Sequence, residues 1–162
     1  MRNIFAAAKI ETGDIQIRPS AINFNKMVDN LIQDLQFKLN RKKLTINRIT
    51  ENFDGQFIYT DPAIVYTILS NLIGNAIEYS YQSGTVTIET ILSSNRLFIS
   101  IQDEGPGISE HDQNIIFKRF KQLDSGTHKL HRGTGLGLSI AKEYAELLQG
   151  ELKLKSALGT GC

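Results

Sequence analysis

Three short stretches carry residues whose types and spacing can do chemistry. In "HRGTGLGLSIAKE", Gly133, Gly135 and Gly137 alternate with larger residues just before an amphipathic run. Flexible backbone amides at the positive end of a helix suit an anion, above all a phosphate. Two common phosphate devices fail on context. A dinucleotide turn needs G-x-G-x-x-G directly after a strand, whereas a polar loop precedes G-T-G-L-G here; a P-loop needs a lysine where Leu138 stands. A glycine-rich helix entry without a ligand remains the alternative.

The second stretch is "QDEGPGI", residues 102–108, where a carboxylate at a strand end is followed by Gly105, Pro106 and Gly107. Such a tight turn lets a flat ligand approach the backbone. Asp103 can accept from a ring amine and Ile108 can form an apolar wall, although an ordinary strand-exit turn has the same composition. The third is "NLIGNAIEYS", residues 71–80. Asn71 and Asn75 are four apart and share one helical face. Asparagine is a poor interior helix residue, and two stacked among Leu72, Ile73, Ala76 and Ile77 need a reason. Their amide oxygens suit Mg²⁺, which takes oxygen ligands and leaves positions for water and phosphate. A solvated polar stripe opposite the core is the other reading.

The elements that must position these groups follow from the pattern. A short extended piece is expected near Ile15 to Arg18. Asn23 can cap a helix with apolar positions at Phe24, Met27, Val28, Leu31, Leu35 and Leu39. Strands are expected at 43–49 and 57–60. Asp61 followed by Pro62 starts a helix that runs to about Ser80, with Ile64, Ile68 and Leu72 inward. Residues 85–92 and 96–103 read as a hairpin, and "EHDQNIIFKRF" as a short helix capped by Ser109. Residues 121–133 read as a mobile loop, the next segment as a helix to about Gln149, "ELKLK" as a strand and "SALGTG" as a turn. Without strict βαβ alternation, the expected class is α+β: a two-layer sandwich, its mixed, mostly antiparallel sheet covered by helices on one face.

The 162 residues, 41% hydrophobic and 22% charged, suit one globular domain. A net charge of +1 gives no electrostatic case for a nucleic acid or an anionic membrane as partner. No apolar run approaches the roughly 20 residues that span a bilayer. Cys162 is the single cysteine, so no internal disulfide is available, in keeping with a reducing environment. The opening "MRNIFAAAKIETG" reads as the tail of a helix stopped by Gly13. A partner strand is wanting after "ELKLK", which suggests one domain cut from a longer protein.

Taken in order, "NLIGN", "DEGPGI", "IIFKRF" and "GTGLGL" resemble the N box, first glycine box, F box and second glycine box of the ATP-binding domain of bacterial sensor histidine kinases. That family shares the Bergerat ATP-binding fold with DNA gyrase, the heat-shock chaperone and the mismatch-repair ATPase. The likeness covers nearly the whole chain. It implies that residues 1–14 are the remnant of a dimerisation helix and linker. Residues 15–162 would be the catalytic domain, with an ATP lid at about 107–133 and the last strand or strands truncated. By the resemblance, Asp103 accepts from the adenine amino group, with Tyr79, Gly105, Gly107 and Ile108 around the base. Asn75, with Asn71, holds Mg²⁺ on the triphosphate, and Gly133, Thr134, Gly135, Leu136, Gly137 and Leu138 meet the phosphates. Phe117 and Phe120 anchor the lid by packing back on the domain, and Lys118, Arg119, Lys129 and Arg132 are cations available to the γ-phosphate.

One departure is Glu78, where the family has a basic residue; a carboxylate beside a triphosphate repels it, and Arg132 can supply that charge instead. The other is the missing final strand, which leaves a sheet edge open. His111, His128 and His131 all fall in the lid or in the helix within it, not in an upstream dimerisation helix as the family's phospho-accepting histidine does. The acceptor is therefore expected on an absent dimerisation domain, with a response regulator downstream. The expected fragment is a monomeric cytoplasmic module without direct membrane contact, from a parent that can be anchored in the bacterial inner membrane. Two rival readings are a hydrolase or clamp of the same superfamily and a non-catalytic nucleotide sensor. The hydrolases carry a glutamate at the first N-box position to activate water; Asn71 cannot serve as that base.

Overall fold

The computed structural model describes residues 15–53, 57–94, 96–122 and 134–162. A first strand, β1 (Ser20–Asn23), runs into α1 (Phe24–Asp34), and α2 (Gln36–Lys42) follows. Next come β2 (Thr45–Glu51), β3 (Phe57–Thr60), the long α3 (Pro62–Tyr79), β4 (Thr85–Ser93) and β5 (Arg96–Gln102). A single turn, α4 (Glu110–Gln113), and the helix α5 (Gly137–Leu147) complete the order.

Local chemistry accounts for most of these limits. The Asn23 side chain accepts from the Lys26 amide at 2.9 Å and starts α1. Asp61 is buried and caps α3: its Oδ1 accepts from the amides of Ala63 and Ile64 at 2.9 and 3.1 Å, and its Oδ2 from Arg18 at 2.7 Å. Pro62 occupies the first helical position, where no amide donor is needed. β4 alternates buried Val86, Ile88 and Thr90 with partly exposed neighbours, the period-two pattern of a strand covered on one face.

β4 is the middle of a three-stranded sheet ordered β2-β4-β5, parallel to β2 and antiparallel to β5. β1 and β3 pair antiparallel as a separate two-stranded ribbon, Ile22 opposite Ile58. On the sheet's inner face, Phe24, Val28 and Leu31 of α1 and Leu69, Ile73, Ala76 and Ile77 of α3 form one core with Val86 and Ile88. Phe53 closes it edge-on to Phe24, ring centroids 5.8 Å apart. A second cluster of Ile64, Leu136, Ile140 and Tyr144 ties α5 to α3, with Ile68 against it. This is the expected α+β class, a mixed sheet with helices on one face.

Four local expectations need correction. The helix expected through Leu39 breaks at Leu35, with no proline or glycine to mark it. The extended piece foreseen at 15–18 gives a ladder only at Ser20–Asn23. The helix expected over "EHDQNIIFKRF" stops at Gln113, although Ser109 caps it as foreseen, accepting from the Asp112 amide at 3.1 Å. Finally, "ELKLK" is no strand. Leu152 and Leu154 stay half-buried while Glu151, Lys153 and Lys155 face out, but no ladder of hydrogen bonds forms. No helix among the described residues is long and apolar enough to cross a membrane.

Candidate nucleotide site

α3 runs through the middle of the site. Asn71 and Asn75 lie one turn apart and both are half-buried, not the solvated stripe that polar composition allows. Opposite Asn71 starts α5: a Cβ on Gly137 would stand 3.1 Å from the Asn71 Oδ1. Glycine at 137 therefore lets the entry of α5 approach the asparagine amide. Leu136, just before it, is 1% exposed and locks this entry into the second cluster. The helix begins at Gly137, because Gly135 has φ +67° and belongs to the turn. Leu138 is half-buried and Thr134 exposed.

At the other end of α3, Tyr79 is 56% exposed and available to a ligand face. Its carbonyl lies 2.7 Å from where a Cβ on Gly105 would be, and the Asp103 Oδ1 is equally close to that point. Gly105 donates its amide to Asp103 Oδ1 at 2.9 Å, so the turn fixes the carboxylate. Asp103 is 7% exposed, and burial pushes its carboxyl above the usual range. Backbone hydrogen bonds from Gly105 and Cys162 and the Lys42 charge work against that rise. Asn71 and Tyr79 are eight residues apart, ~12 Å along a helix, so α3 spaces the two ends of the site.

Neighbours without a motif of their own complete the arrangement. The C-terminal segment folds over the "DEGPGI" loop: Gly159 donates to the Pro106 carbonyl at 2.7 Å and Ile108 to the Ser156 hydroxyl at 2.9 Å. Gln113 donates to the carbonyls of Ile108 and Ser156, each at 2.9 Å, and Asp103 to that of Cys162 at 2.9 Å. Gly107 (φ +70°) is packed so closely that a Cβ would fall 1.9 Å from the Ala157 carbonyl oxygen. Lys42 also belongs to this end of the site, its ammonium on the carbonyls of Glu78 and Ser80. Sequence reasoning missed Lys42, Gln113 and Ser156, which act mainly through backbone groups far along the chain.

The F-box residues attach differently from expectation. Ile116 is buried and the Lys142 ammonium sits 5.7 Å over the Phe117 ring, so Phe117 does pack back. Phe120 does not. Its ring is 73% exposed, and the anchor is its backbone amide, donating to the Gly135 carbonyl at 2.9 Å from a left-handed backbone with φ +62°. Arg119 binds both oxygens of Glu143, at 3.1 and 2.8 Å, instead of standing ready for a phosphate. His111 is exposed; His128, Lys129, His131, Arg132 and Gly133 lie outside the described residues. Two open concavities, of about 330 and 490 Å³, lie elsewhere, the larger lined in part by Arg18, Asp61 and Tyr144.

A family model for histidine kinase-, DNA gyrase B- and HSP90-like ATPases matches residues 60–162. The chain belongs to that family. This ATPase-family domain is 29% identical over 163 residues to the circadian input-output histidine kinase CikA of Synechococcus elongatus, covering 99% of the chain and 22% of the relative. It is 32% identical over 158 residues to the sensor protein EvgS of Escherichia coli K12, covering 94% of the chain and 13% of the relative. The chain thus spans about a fifth or less of these curated relatives. Among solved structures, the fold matches Acinetobacter baumannii histidine kinase AdeS with a TM-score of 0.80 at 23% identity, covering 99% of this chain and 72% of that one. Full-length ShkA in complex with AMPPNP matches with a TM-score of 0.84 at 22% identity, covering 98% and 32%.

Proposed function

We propose that this domain binds Mg·ATP along α3 and delivers the γ-phosphoryl group to a histidine on a separate dimerisation domain, for relay to a response-regulator aspartate. The observation that carries the reading is the double approach to one helix, Gly137 against Asn71 and Gly105 against the end at Tyr79. A base accepted at Asp103 and phosphates received at Asn75 and the glycine turn are the ligand parts that this spacing suits. The kinase names of the relatives support the same choice. A cytoplasmic setting, where ATP is available, goes with it.

Mg²⁺ fits the donor set. No three His, Cys, Asp or Glu side chains gather among the described residues. A cation here would be held by the amide oxygens of Asn75 and Asn71, with phosphate and water as its remaining ligands. When bound, it would supply charge neutralisation on the triphosphate. The chain's own share is positioning. Asp103 fixes the base by one hydrogen bond, Tyr79 and Ile108 line it, and Asn75 orients the phosphate end. Asn71 has no proton-accepting group with which to activate water, which favours transfer to a protein acceptor over hydrolysis. The role given to Arg132 and Gly133 rests on their motif positions alone.

The deciding assay is transfer in trans. With radiolabelled ATP alone the chain should stay unlabelled, whereas adding the parent protein's dimerisation domain should yield acid-labile phosphohistidine on that partner. Rapid phosphate release by the chain alone would favour a hydrolase, and tight Mg·ATP binding without transfer would favour a sensor.

A further inference from the structure

Lys42, the last residue of α2, lies outside the stretch matched by the family model. Its ammonium donates to the carbonyls of Glu78 and Ser80, the latter at 3.0 Å. Its own carbonyl accepts from the Ser83 amide at 2.8 Å. A lysine of one helix thus serves carbonyls at the terminus of another, groups that a helix end leaves without intrahelical partners. Between them, the Tyr79 carbonyl is the atom that approaches Gly105, whose amide holds Asp103. The linkage runs from Lys42 through the end of α3 to Gly105 and the carboxylate.

Charge couples the same groups. The Lys42 ammonium pulls Asp103 toward its ionised form, and Asp103 favours the protonated lysine in return. Burial acts in the opposite sense on both and is the larger influence on each. Other titratable groups next to Lys42 and Asp103 in the chain or at the end of α3 include Arg41, Glu78, Tyr79, Cys162 on the C-terminal segment and Glu104. Glu104 is directed to the Thr85 amide at 2.8 Å. Lys42 is the cation whose charge acts on Asp103.

We propose that Lys42 is a positioning residue for the base end of the nucleotide site. It holds the last turn of α3 against Gly105 and keeps Asp103 a hydrogen-bond acceptor for the amino group of an aminopurine. The proposal rests on the Mg·ATP reading above and assigns that reading a residue with no motif of its own. A plain helix cap would predict lost stability and weaker binding; the charge role also predicts a changed pH response.

The experiment is calorimetric titration of the chain with Mg·ATP from pH 5 to 8, for the wild type, Lys42→Gln and Lys42→Arg. Glutamine should weaken binding at pH 7 by roughly 3- to 10-fold, as for a half-buried polar link removed. It should also move the acid limb of binding upward, by up to about one pH unit. The direction follows because protonated Asp103 cannot accept from the base, and losing the lysine charge makes protonation easier. Arginine should keep the limb near its wild-type place. An unmoved limb in Lys42→Gln, whatever the loss of affinity, makes Lys42 a cap only and overturns the proposal. Should Lys42→Gln fail to fold, the wild type still decides by NMR of its lysine side-chain Cε signals. The Lys42 signal should respond to adenosine and not to tripolyphosphate; indifference to adenosine overturns the proposal. A wild type that binds no Mg·ATP removes the nucleotide reading and this proposal together, whereas normal binding with an unmoved limb removes this proposal alone.

Discussion

Asp103 is asked to accept from the base where burial opposes its charge, and that tension gives the residue-scale prediction. Its carboxyl lies above the usual range in the folded chain, burial being the main cause. Between the unfolded value and the raised folded one, the folded state holds the proton more tightly. The stability associated with this group is therefore present at low pH and lost as pH rises through that window. Asp103→Asn removes the cost while its side-chain oxygen can still accept from Gly105. At neutral pH the unliganded variant should melt no lower than wild type, yet bind Mg·ATP at least roughly tenfold more weakly, because the base amine loses its acceptor. Thermal melts paired with binding titrations check both halves. A large fall in melting temperature would mean that the carboxylate serves the fold before the ligand.

At the scale of elements, the glycines separate by what surrounds them. Gly107→Ala would drive a Cβ to 1.9 Å from the Ala157 carbonyl at φ +70°, and should cost roughly 2–4 kcal/mol. Gly74→Ala in α3 meets nothing within 4 Å and should stabilise by roughly 0.5–1 kcal/mol. Denaturant unfolding of the two variants should move the midpoint in opposite directions. The limits of α3 were legible because Asp61-Pro62 opens it, but its buried face was not. The expected inward Ile68 and Leu72 stay half-buried, while Val65, Leu69, Ile73, Ala76 and Ile77 fill the core. A helix that is apolar on most sides does not mark which side faces the sheet. The β4–β5 hairpin was legible from its alternation. The break at Leu35 was not, since the apolar spacing continues across it. Nor was the early stop of α4, where the burial of Ile116 and the Arg119–Glu143 pair override a helical pattern. The motif residues proposed for the site stand out in the sequence because their types are unusual in context, two asparagines in a helix or three alternate glycines. Lys42 and Ser156 could not, because an ordinary lysine or serine that serves a distant backbone carbonyl or amide leaves no local pattern.

For the molecule as a whole, binding and stability must be linked. A ligand that binds only the folded state at 100 times its dissociation constant adds about 2.7 kcal/mol. Mg·ATP should therefore raise the melting temperature by several degrees, and Asn75→Ala should abolish most of the rise while leaving the unliganded melt within about a degree of wild type. A normal shift in Asn75→Ala would detach the metal from α3. The parallel pairing of β2 with β4 has a further consequence for folding order. The β4–β5 hairpin joins neighbours in sequence and can zip within microseconds. β2 can meet β4 only after the chain between them, α3 included, has been laid across the sheet, a loop closure that must be completed first. The helix that carries Asn71, Asn75 and Tyr79 is thus the crossover itself. Nucleotide bound to it should slow hydrogen exchange in β2 and β4 as well as in α3, so that the ligand protects strands that carry none of its proposed contacts.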